Sequence, residues 1–327
     1  MGRQSIADPE TPNKAAAGCF ADIRTCVGCL HGCDANVNLE QSGTCELNPI
    51  IGHESEAEYQ TVMTDSPKNV LVIGAGPAGL EAAIGAAKRG HRVSVYDKDR
   101  WAGGKYRLAS VPPCKGELGA FIVWQMHELK KLNVPVILNT VVTKELVDSV
   151  KPDVIIAATG TTPVVPRKIP GWDKDIVVLG TDVLSGKANT GHNVVVIGGG
   201  HAGAETANHI ASYMKNVTIV ELQEDIAMDE VDTPRNALLA DLEKNKVRVC
   251  ASTSVSEIKD HSVVVSGKFN EEIECDTVVI SIGHTPNTTL ADELIQAGYD
   301  VRIIGDAVKV GLVGPAVRAG YLTARQI

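Results

Sequence analysis

The chain has 327 residues, 44% of them hydrophobic and 22% charged, which excludes disordered and fibrous proteins and suggests about two domains. With 40 acidic and 31 basic residues it carries a net charge of −9 and shows no basic stripe, so nucleic acids and anionic membranes are poor partners. The polar N-terminal residues lack the apolar stretch of a signal peptide. The longest apolar run, residues 70–87, contains Glu81 and several glycines, which argues against a membrane span. We expect a cytoplasmic protein.

Strands and helices alternate along most of the chain. Residues 1–65 show little periodicity and predict a loop-rich segment that contains clustered cysteines. The predicted strands cover residues 69–73, 92–96, 134–138, 154–157, 193–197, 217–220, 262–265, 277–280 and 301–304. The predicted helices cover residues 80–88, 119–132, 204–214 and 315–327. This alternation predicts an α/β fold with parallel sheets covered on both faces.

Two strand-to-helix turns carry the glycine pattern of a dinucleotide site. The first glycine permits a tight turn, the second lets the backbone approach the pyrophosphate, and the third lets helix and strand pack closely. Free N–H groups at the helix start bind phosphates, and an acidic residue after the next strand binds ribose hydroxyls. The first site comprises Gly74, Gly76 and Gly79 with Asp97, and the second comprises Gly198, Gly200 and Gly203 with Glu221. Two such sites exclude a simple dehydrogenase with a single nucleotide.

From residue 69 to residue 327 the chain resembles the two-dinucleotide flavoprotein reductases, in which a flavin domain is interrupted by a nicotinamide domain. The motifs that carry this resemblance lie at residues 74–79, 158–160, 198–203 and 304–306. The resemblance implies that FAD occupies the first site and contacts Gly74, Gly76, Pro77, Ala78, Gly79, Asp97, Gly103, Gly104, Val142, Ala158, Thr159, Gly160, Gly305 and Asp306. It implies that NAD(P)H occupies the second site and contacts Gly198, Gly200, His201, Ala202, Gly203, Glu221 and Gly283. For His201 we expect a surface imidazole in preference to a cofactor contact.

The second site favours NADH over NADPH. Glu221 would repel a 2′-phosphate, and residues 222–224 contain no arginine to bind one. Glu205 lies in the first turn of the second helix, where the resemblance implies that it orients the nicotinamide against the flavin. The alternative for Glu205 is a favourable charge at a helix N-terminus.

Four of the eight cysteines fall within twenty residues: Cys26, Cys29, Cys33 and Cys45, in the spacing C-x2-C-x3-C-x11-C. Loop cysteines at such spacing suit a [4Fe–4S] cluster, which needs four thiolates around one inorganic cube. Structural zinc is the alternative, because four thiolates also form a tetrahedral site, although two C-x2-C pairs would be more usual. Cys114, Cys250 and Cys275 stand alone, and we expect each to be a packed residue rather than a nucleophile.

The residues around these cysteines, 23–29 and 44–49, and the opening residues 2–9, are similar to the iron–sulfur old-yellow-enzyme-type reductases. This family includes 2,4-dienoyl-CoA reductases, enoate reductases and trimethylamine dehydrogenase. The resemblance covers essentially the whole chain, but it matches the C-terminal half of the family. The other half is a (β/α)8 barrel of about 250 residues. The resemblance implies that this barrel holds FMN and the substrate acid–base residues. We expect it as a partner subunit or a missing domain; the initiating methionine favours a partner, and hence a hetero-oligomer.

The predicted organisation is a [4Fe–4S] segment (1–65), an FAD-binding domain in two parts (66–165 and 284–327), and an NAD(P)H-binding domain (166–283) between them. The resemblance implies a reductase module. Electrons would pass from NADH through FAD to the cluster, and on to an FMN barrel that reduces an unsaturated, enoate- or enoyl-type substrate. One alternative resembles the small subunit of glutamate synthase. Another is a non-catalytic scaffold with structural zinc and an ADP-type nucleotide.

Overall fold

The computed structural model describes residues 1–327, which form two compact units. Unit 1 comprises residues 1–107, 117–162 and 286–327, and unit 2 comprises residues 108–116 and 163–285. The short segment 108–116 belongs to unit 2, whereas the sequence predicts it within the FAD-binding domain. No helix of this chain is both long enough and apolar enough to span a bilayer.

The helices are α1 (Gly2–Ala7), α2 (Thr11–Ala16), α3 (Asn36–Asn38), α4 (Pro77–Lys88), α5 (Gly104–Ala109), α6 (Gly119–Lys131), α7 (Lys144–Val150), α8 (Gly180–Ser185), α9 (His201–Ala211), α10 (Asp232–Lys244), α11 (Thr289–Gln296) and α12 (Val313–Thr323). The strands are β1 (Asn69–Ile73), β2 (Arg92–Tyr96), β3 (Val136–Ile137), β4 (Val154–Ala157), β5 (Thr161–Pro163), β6 (Val177–Leu179), β7 (Asn193–Ile197), β8 (Asn216–Val220), β9 (Arg248–Cys250), β10 (Thr253–Ile258), β11 (Ser262–Gly267), β12 (Glu271–Glu274), β13 (Thr277–Ile280), β14 (His284–Pro286) and β15 (Val301–Ile303).

Unit 1 contains a five-stranded parallel sheet in the order β15-β4-β1-β2-β3. Strand β1 lies at its centre, and its residues 70–73 are all buried, as expected for a strand that is covered on both faces. β1 and β2 pair in register from Asn69 opposite Arg92 to Ile73 opposite Tyr96. The first glycine turn and Asp97 therefore follow neighbouring strands at the same edge of the sheet.

Helices α4 and α12 pack very closely in unit 1. A Cβ atom on Gly320 of α12 would lie 2.2 Å from the backbone oxygen of Ala78, and one on Gly85 of α4 would lie 2.7 Å from the Cβ of Ala324. Only glycine fits at these two crossing points. The helix that follows the first glycine turn is thus held by the C-terminal part of the chain.

Unit 2 contains a five-stranded parallel sheet, β6-β13-β7-β8-β9, and a three-stranded antiparallel sheet, β10-β11-β12. Alternate residues of β7 point to opposite faces. Val194 and Val196 pack with α9 and α10, whereas Val195 and Ile197 pack with the antiparallel sheet. The predicted α/β fold with two dinucleotide-type parallel sheets is confirmed.

Several helix ends differ from the sequence prediction. Helix α4 begins at Pro77 rather than at residue 80, and α9 begins at His201 rather than at residue 204. Proline at the first helical position is already fixed in a helical φ, so it starts the helix inside the glycine motif. The last helix ends at Thr323 instead of residue 327. Residues 1–65 also include the short helices α1, α2 and α3 among their loops.

Candidate functional site

The first glycine turn joins β1 to α4, and its three glycines have different surroundings. A Cβ atom on Gly74 would lie 2.3 Å from the backbone oxygen of Ala158, and one on Gly79 would lie 2.0 Å from that of Gly74. Both residues must therefore be glycine for the backbone to pack. Gly76 differs, because no atom of the chain lies within 4 Å of its Cβ position. The first turn of α4, whose N–H groups have no partner within the helix, begins at this glycine.

Asp97 is fixed beside this turn at the end of β2. Its Oδ2 accepts a hydrogen bond of 2.6 Å from the N–H of Ala75, and its Oδ1 accepts one of 2.8 Å from the N–H of Asp99. Backbone donors orient the carboxylate at the edge of the sheet, where a ribose would need an acceptor.

Gly103 and Gly104 border the open space in front of Gly76. The N–H of Gly103 donates to the oxygen of Ala75 over 2.7 Å, and a Cβ on Gly104 would lie 3.5 Å from the Cα of Gly76. Both residues have positive φ, +113° and +52°, which glycine adopts without strain. This second turn therefore adds backbone, and no side chain, to the rim of the site.

Two later segments reach the same unit. A Cβ on Gly305 would lie 2.9 Å from the Cβ of Ala78 in α4, and the next residue, Asp306, forms an ion pair of 2.8 Å with Lys105. Thr159 donates its hydroxyl hydrogen to the oxygen of Asn287 over 2.5 Å. Every residue predicted to contact FAD lies in unit 1, including buried Val142, and also Ala158 and Gly160 beside Thr159.

The second glycine turn, in unit 2, repeats the geometry of the first. A Cβ on Gly198 would lie 2.3 Å from the oxygen of Ser281, and one on Gly203 would lie 2.1 Å from the oxygen of Gly198. Glu221 accepts hydrogen bonds from the N–H groups of Gly199, at 2.5 Å, and Gln223, at 2.8 Å. All residues predicted to contact the nicotinamide nucleotide, including Ala202 and Gly283, lie in unit 2.

A carboxylate lies at this second turn, and the sequence analysis missed it. The Asp229 side chain accepts hydrogen bonds of 2.7 Å from both the backbone N–H and the Nδ1 of His201, and its Oδ2 lies 3.5 Å from the Cβ position of Gly200. The hydrogen bond with His201 lowers the pKa of Asp229 to about 2, and the same bond raises the pKa of His201. His201 is therefore an ion-paired residue rather than a free surface imidazole.

The loop that carries Asp229 is docked on the glycine turn. Ala227, with a φ of +51°, donates its N–H to the oxygen of Gly199 over 2.7 Å, and the Cγ2 of Ile226 lies 2.7 Å from the Cβ position of Gly199. Any side chain at residue 199 would displace this loop. This loop thus covers the second glycine turn, whereas the space in front of Gly76 in the first glycine turn is open.

Glu205 is paired with a lysine. The residue is buried in α9, and its carboxylate forms an ion pair with Lys115, which comes from the segment 108–116 of the same unit. The lysine neutralises a charge that would be costly to bury alone. No local pattern in the sequence indicates this partner.

The four clustered cysteines line one common cavity in unit 1, together with Arg3. All four are free thiols. Burial raises the pKa of Cys33, and the neighbouring charges of Cys29 and Cys26 raise it further. No three of the four sulfur atoms lie within 4.8 Å of one another. A tetrahedral zinc site would need sulfurs about 3.8 Å apart, given zinc–sulfur bonds of about 2.3 Å.

The backbone around the cysteines explains how they converge. Gly28 has a φ of +68°, and Gly32 contacts Thr44 so closely that its Cβ would lie 2.5 Å from the Oγ1 of that residue. This contact brings Cys45 to the other three cysteines. The Cys45 sulfur accepts a hydrogen bond of 3.4 Å from the N–H of Leu47, a donor type that tunes iron–sulfur centres.

Several contacts fix the cysteine segment to the rest of unit 1, and two of them lie beside the cysteines in sequence. The guanidinium of Arg24 lies 4.3 Å from the ring centroid of Trp124 in α6. Glu46, which follows Cys45, accepts a hydrogen bond of 2.6 Å from the N–H of Gly314 in the first turn of α12. The cysteine cavity and the first glycine turn thus belong to one packed body.

The isolated cysteines agree only in part with the prediction. Cys250 and Cys275 are buried, and burial raises the pKa of Cys275 to about 11, which makes it a poor nucleophile. Cys114 is exposed, so the expectation that it is packed was wrong. It has a φ of +61° and sits on a turn beside Lys115.

Two parallel sheets, each with a glycine turn and an acidic residue on the next strand, define an oxidoreductase with two dinucleotide sites. The family described as "Pyridine nucleotide-disulphide oxidoreductase" matches residues 68–306, and the chain belongs to this family. Membership confirms the predicted class of enzyme and supports FAD and NAD(H) as its cofactors.

The chain is 39% identical to an NADH oxidase of Thermoanaerobacter brockii and 35% identical to a cinnamate reductase of Clostridium sporogenes. Each match covers 100% of this chain, with 51% and 49% of the relatives. A solved structure of a 2-naphthoyl-CoA reductase is 33% identical, with a TM-score of 0.96 over 99% of this chain and 50% of that one. The chain thus spans about half the length of these relatives. These matches confirm the resemblance to one half of enoate-reductase-type enzymes.

Proposed function

We propose that the chain is a reductase module in which FAD and a [4Fe–4S] cluster would convert a hydride from NADH into single electrons for FMN on a barrel subunit or domain. The single observation that carries this proposal is the cavity lined by Cys26, Cys29, Cys33 and Cys45, in the same packed unit as the open glycine cradle.

Unit 1 offers a site for a permanently bound dinucleotide. The space in front of Gly76 is open, and Gly103 and Gly104 border it without side chains. Asp97 presents a carboxylate held by backbone donors, which suits ribose hydroxyls. The Asp306–Lys105 pair gives one carboxylate and one cation at the same unit. We assign FAD to this site.

Unit 2 offers a site for NADH. Glu221 faces the second turn and repels a 2′-phosphate. Arg235 of α10 donates to the carboxylate of Asp225 over 2.6 Å and to the backbone oxygen of Ile226. Its guanidinium is therefore already paired and is not available to bind a phosphate. Hydride transfer itself needs no acid from the protein. The role that remains for the Glu205–Lys115 pair is therefore to orient the nicotinamide.

The cysteine site fits an iron–sulfur cube better than zinc. The sulfurs are spread more widely than a single tetrahedral ion requires, and the donor set is four thiolates on loops. Arg3 lines the same cavity, so one positive charge lies beside the four cysteines.

The partner and substrate are inferred from the relatives. The chain matches about half of a cinnamate reductase and about half of a 2-naphthoyl-CoA reductase. The names of both describe reduction of unsaturated acids or acyl thioesters. We therefore propose an FMN-binding barrel of about 250 residues as the partner, in a hetero-oligomer or in one longer chain, and a substrate of this unsaturated class.

Anaerobic purification tests the proposal. We expect a yellow-brown protein with iron, acid-labile sulfide and FAD, whose flavin absorbance bleaches with NADH. Cys33→Ser should lower iron and sulfide content, whereas Cys19→Ser, at an exposed cysteine outside the cavity, should not. Zinc without iron in the unsubstituted protein would support the scaffold instead. Co-purification with a chain much larger than a barrel would favour the glutamate-synthase-like alternative.

A further inference from the structure

Tyr106 lies close to residues of both proposed cofactor sites of unit 1. It is in α5, two residues after Gly104, which borders the open space at the first glycine turn. Its ring packs edge-on against Phe121, with ring centroids 6.1 Å apart and an interplanar angle of 85°. The same apolar cluster includes Cys29 and Cys45 among the residues packed against it.

The hydroxyl of Tyr106 is buried and has no hydrogen-bond partner in the protein. Burying a hydroxyl without an acceptor is unfavourable, and proteins nearly always supply one. The carboxylate of Glu46, next to Cys45, accepts a hydrogen bond from Gly314 and none from the Tyr106 hydroxyl. An unused donor in such a place indicates an acceptor that the polypeptide itself does not provide.

The packing indicates where that acceptor lies, because Tyr106, Cys29 and Cys45 all pack against one apolar cluster. Burial raises the pKa of Tyr106, and the negative charges of Cys29, Glu46 and Cys45 raise it further, in that order. The phenol therefore stays protonated and can donate. Cys45 already has a donor in the N–H of Leu47, so a donor toward Cys29 would serve a different corner of the cysteine site.

We propose that Tyr106 donates a hydrogen bond to sulfur at the Cys29 corner of the iron–sulfur centre and thereby raises the reduction potential of that centre. The inference rests on the proposed function, because it needs the cluster. A reduced cluster carries more negative charge on its sulfurs than an oxidised one, so a donor stabilises the reduced form more strongly. Tyr106 acts as a positioning and tuning residue that favours electron entry into the centre.

Tyr106→Phe is the direct test, because it keeps the ring against Phe121 and removes only the oxygen. We expect unchanged iron, sulfide and FAD contents, a lower reduction potential in an EPR-monitored titration, and loss of one exchangeable-proton coupling to the reduced cluster. Tyr321→Phe is the matched control. That hydroxyl donates to the oxygen of Tyr59 over 2.6 Å, so the same chemical change should leave the potential unchanged.

The outcomes separate this inference from the proposed function. If the unsubstituted protein contains no iron after anaerobic purification, the proposed function fails and this inference fails with it. If the cluster is present and Tyr106→Phe has the same potential and the same proton couplings, only the inference is overturned. Equal shifts in both tyrosine variants, or loss of iron from Tyr106→Phe, would assign a general structural role and also overturn it.

Discussion

The carboxylate of Asp229 accepts hydrogen bonds from both the backbone N–H and the imidazole Nδ1 of His201. It therefore occupies the first turn of α9, where N–H groups and the helix dipole attract anions. In unit 2, Asp229 also lies beside Gly200, the second glycine of the motif. The second glycine of the motif in unit 1 is Gly76, and it faces open space. In unit 2 a nucleotide must compete with the Asp229 carboxylate, which suits a nucleotide that exchanges. In unit 1 no such carboxylate competes, which suits a nucleotide that stays bound.

The first prediction concerns Asp229→Asn. An incoming pyrophosphate must replace the Asp229 carboxylate at the N–H of His201, and the substitution removes a competing charge. We expect the affinity for NAD⁺ to rise about twofold to fivefold, the range that one charge at a helix N-terminus contributes. The gain should be larger below pH 6.5, where His201 keeps its proton without its partner. Isothermal titration calorimetry measures both effects.

Asp232→Asn is the matched control, since this residue begins α10 three residues after Asp229 and carries the same charge. Its affinity for NAD⁺ should stay unchanged. Weaker binding by Asp229→Asn would instead mean that the carboxylate helps to hold the nucleotide.

The second prediction concerns stability and pH. Pairing with Asp229 raises the pKa of His201 above its ordinary 6.5, so the stabilisation is complete below that value and is lost as pH rises through the raised pKa. The pKa of Asp229 is lowered from 3.8 to about 2, so its contribution is complete above 3.8 and is lost as pH falls toward 2. His201→Gln should therefore lower the thermal midpoint most between about pH 4 and 6.5. Exposed His192 provides the control substitution, which should show no such window.

The third prediction concerns Gly76→Ala. Gly76 has a φ of −79°, which alanine adopts freely, and no neighbour within 4 Å of its Cβ position, so the fold should persist. The methyl group would enter the space proposed for the FAD diphosphate. We expect FAD affinity to fall on the order of tenfold to a hundredfold, as the loss of one hydrogen bond to a charged group would give. Fluorescence titration of the apoprotein measures it.

Gly116→Ala has equally open surroundings and serves as the control. Retention of full FAD affinity by Gly76→Ala would refute the assignment of FAD to the first turn.

The fourth prediction concerns the pair formed by Lys115 and Glu205. The side chains are 30% and 8% exposed, so Lys115→Met leaves a buried carboxylate without its cation. We expect Lys115→Met to destabilise unit 2, and the double variant Lys115→Met/Glu205→Gln to recover part of the loss, with a coupling energy of about 1–3 kcal/mol. Urea denaturation measures the cycle, and additive effects would mean that the pair contributes nothing.

The sequence predicted those features whose rule is local. Gly74 and Asp97 are linked by one strand–helix–strand unit, and so are Gly198 and Glu221, so spacing alone identifies both turns. The predicted start of α4 is three residues too late, because the glycine motif predicts a turn where Pro77 already begins the helix.

The features that the sequence did not predict depend on distant partners. Asp229 comes 28 residues after His201, and Lys115 comes 90 residues before Glu205, with no periodic pattern to connect them. The unpaired hydroxyl of Tyr106 is visible only once burial is known. Nothing in the sequence separates Asp229, Lys115 or Tyr106 from the other aspartates, lysines and tyrosines of the chain. Only the fold distinguishes these three residues.

The close contact between α4 and α12 has a consequence for how the protein is made. Arg89, just after α4, donates to the oxygen of Ala324, just after α12, across 235 residues of sequence. At about 5–20 residues per second, a ribosome needs roughly ten to fifty seconds to synthesise that interval. During this time the face of α4 that later contacts α12 is uncovered. Most of unit 2 is synthesised within the same interval and can fold before α12 appears. We therefore expect a chaperone to bind nascent unit 1 in preference to unit 2.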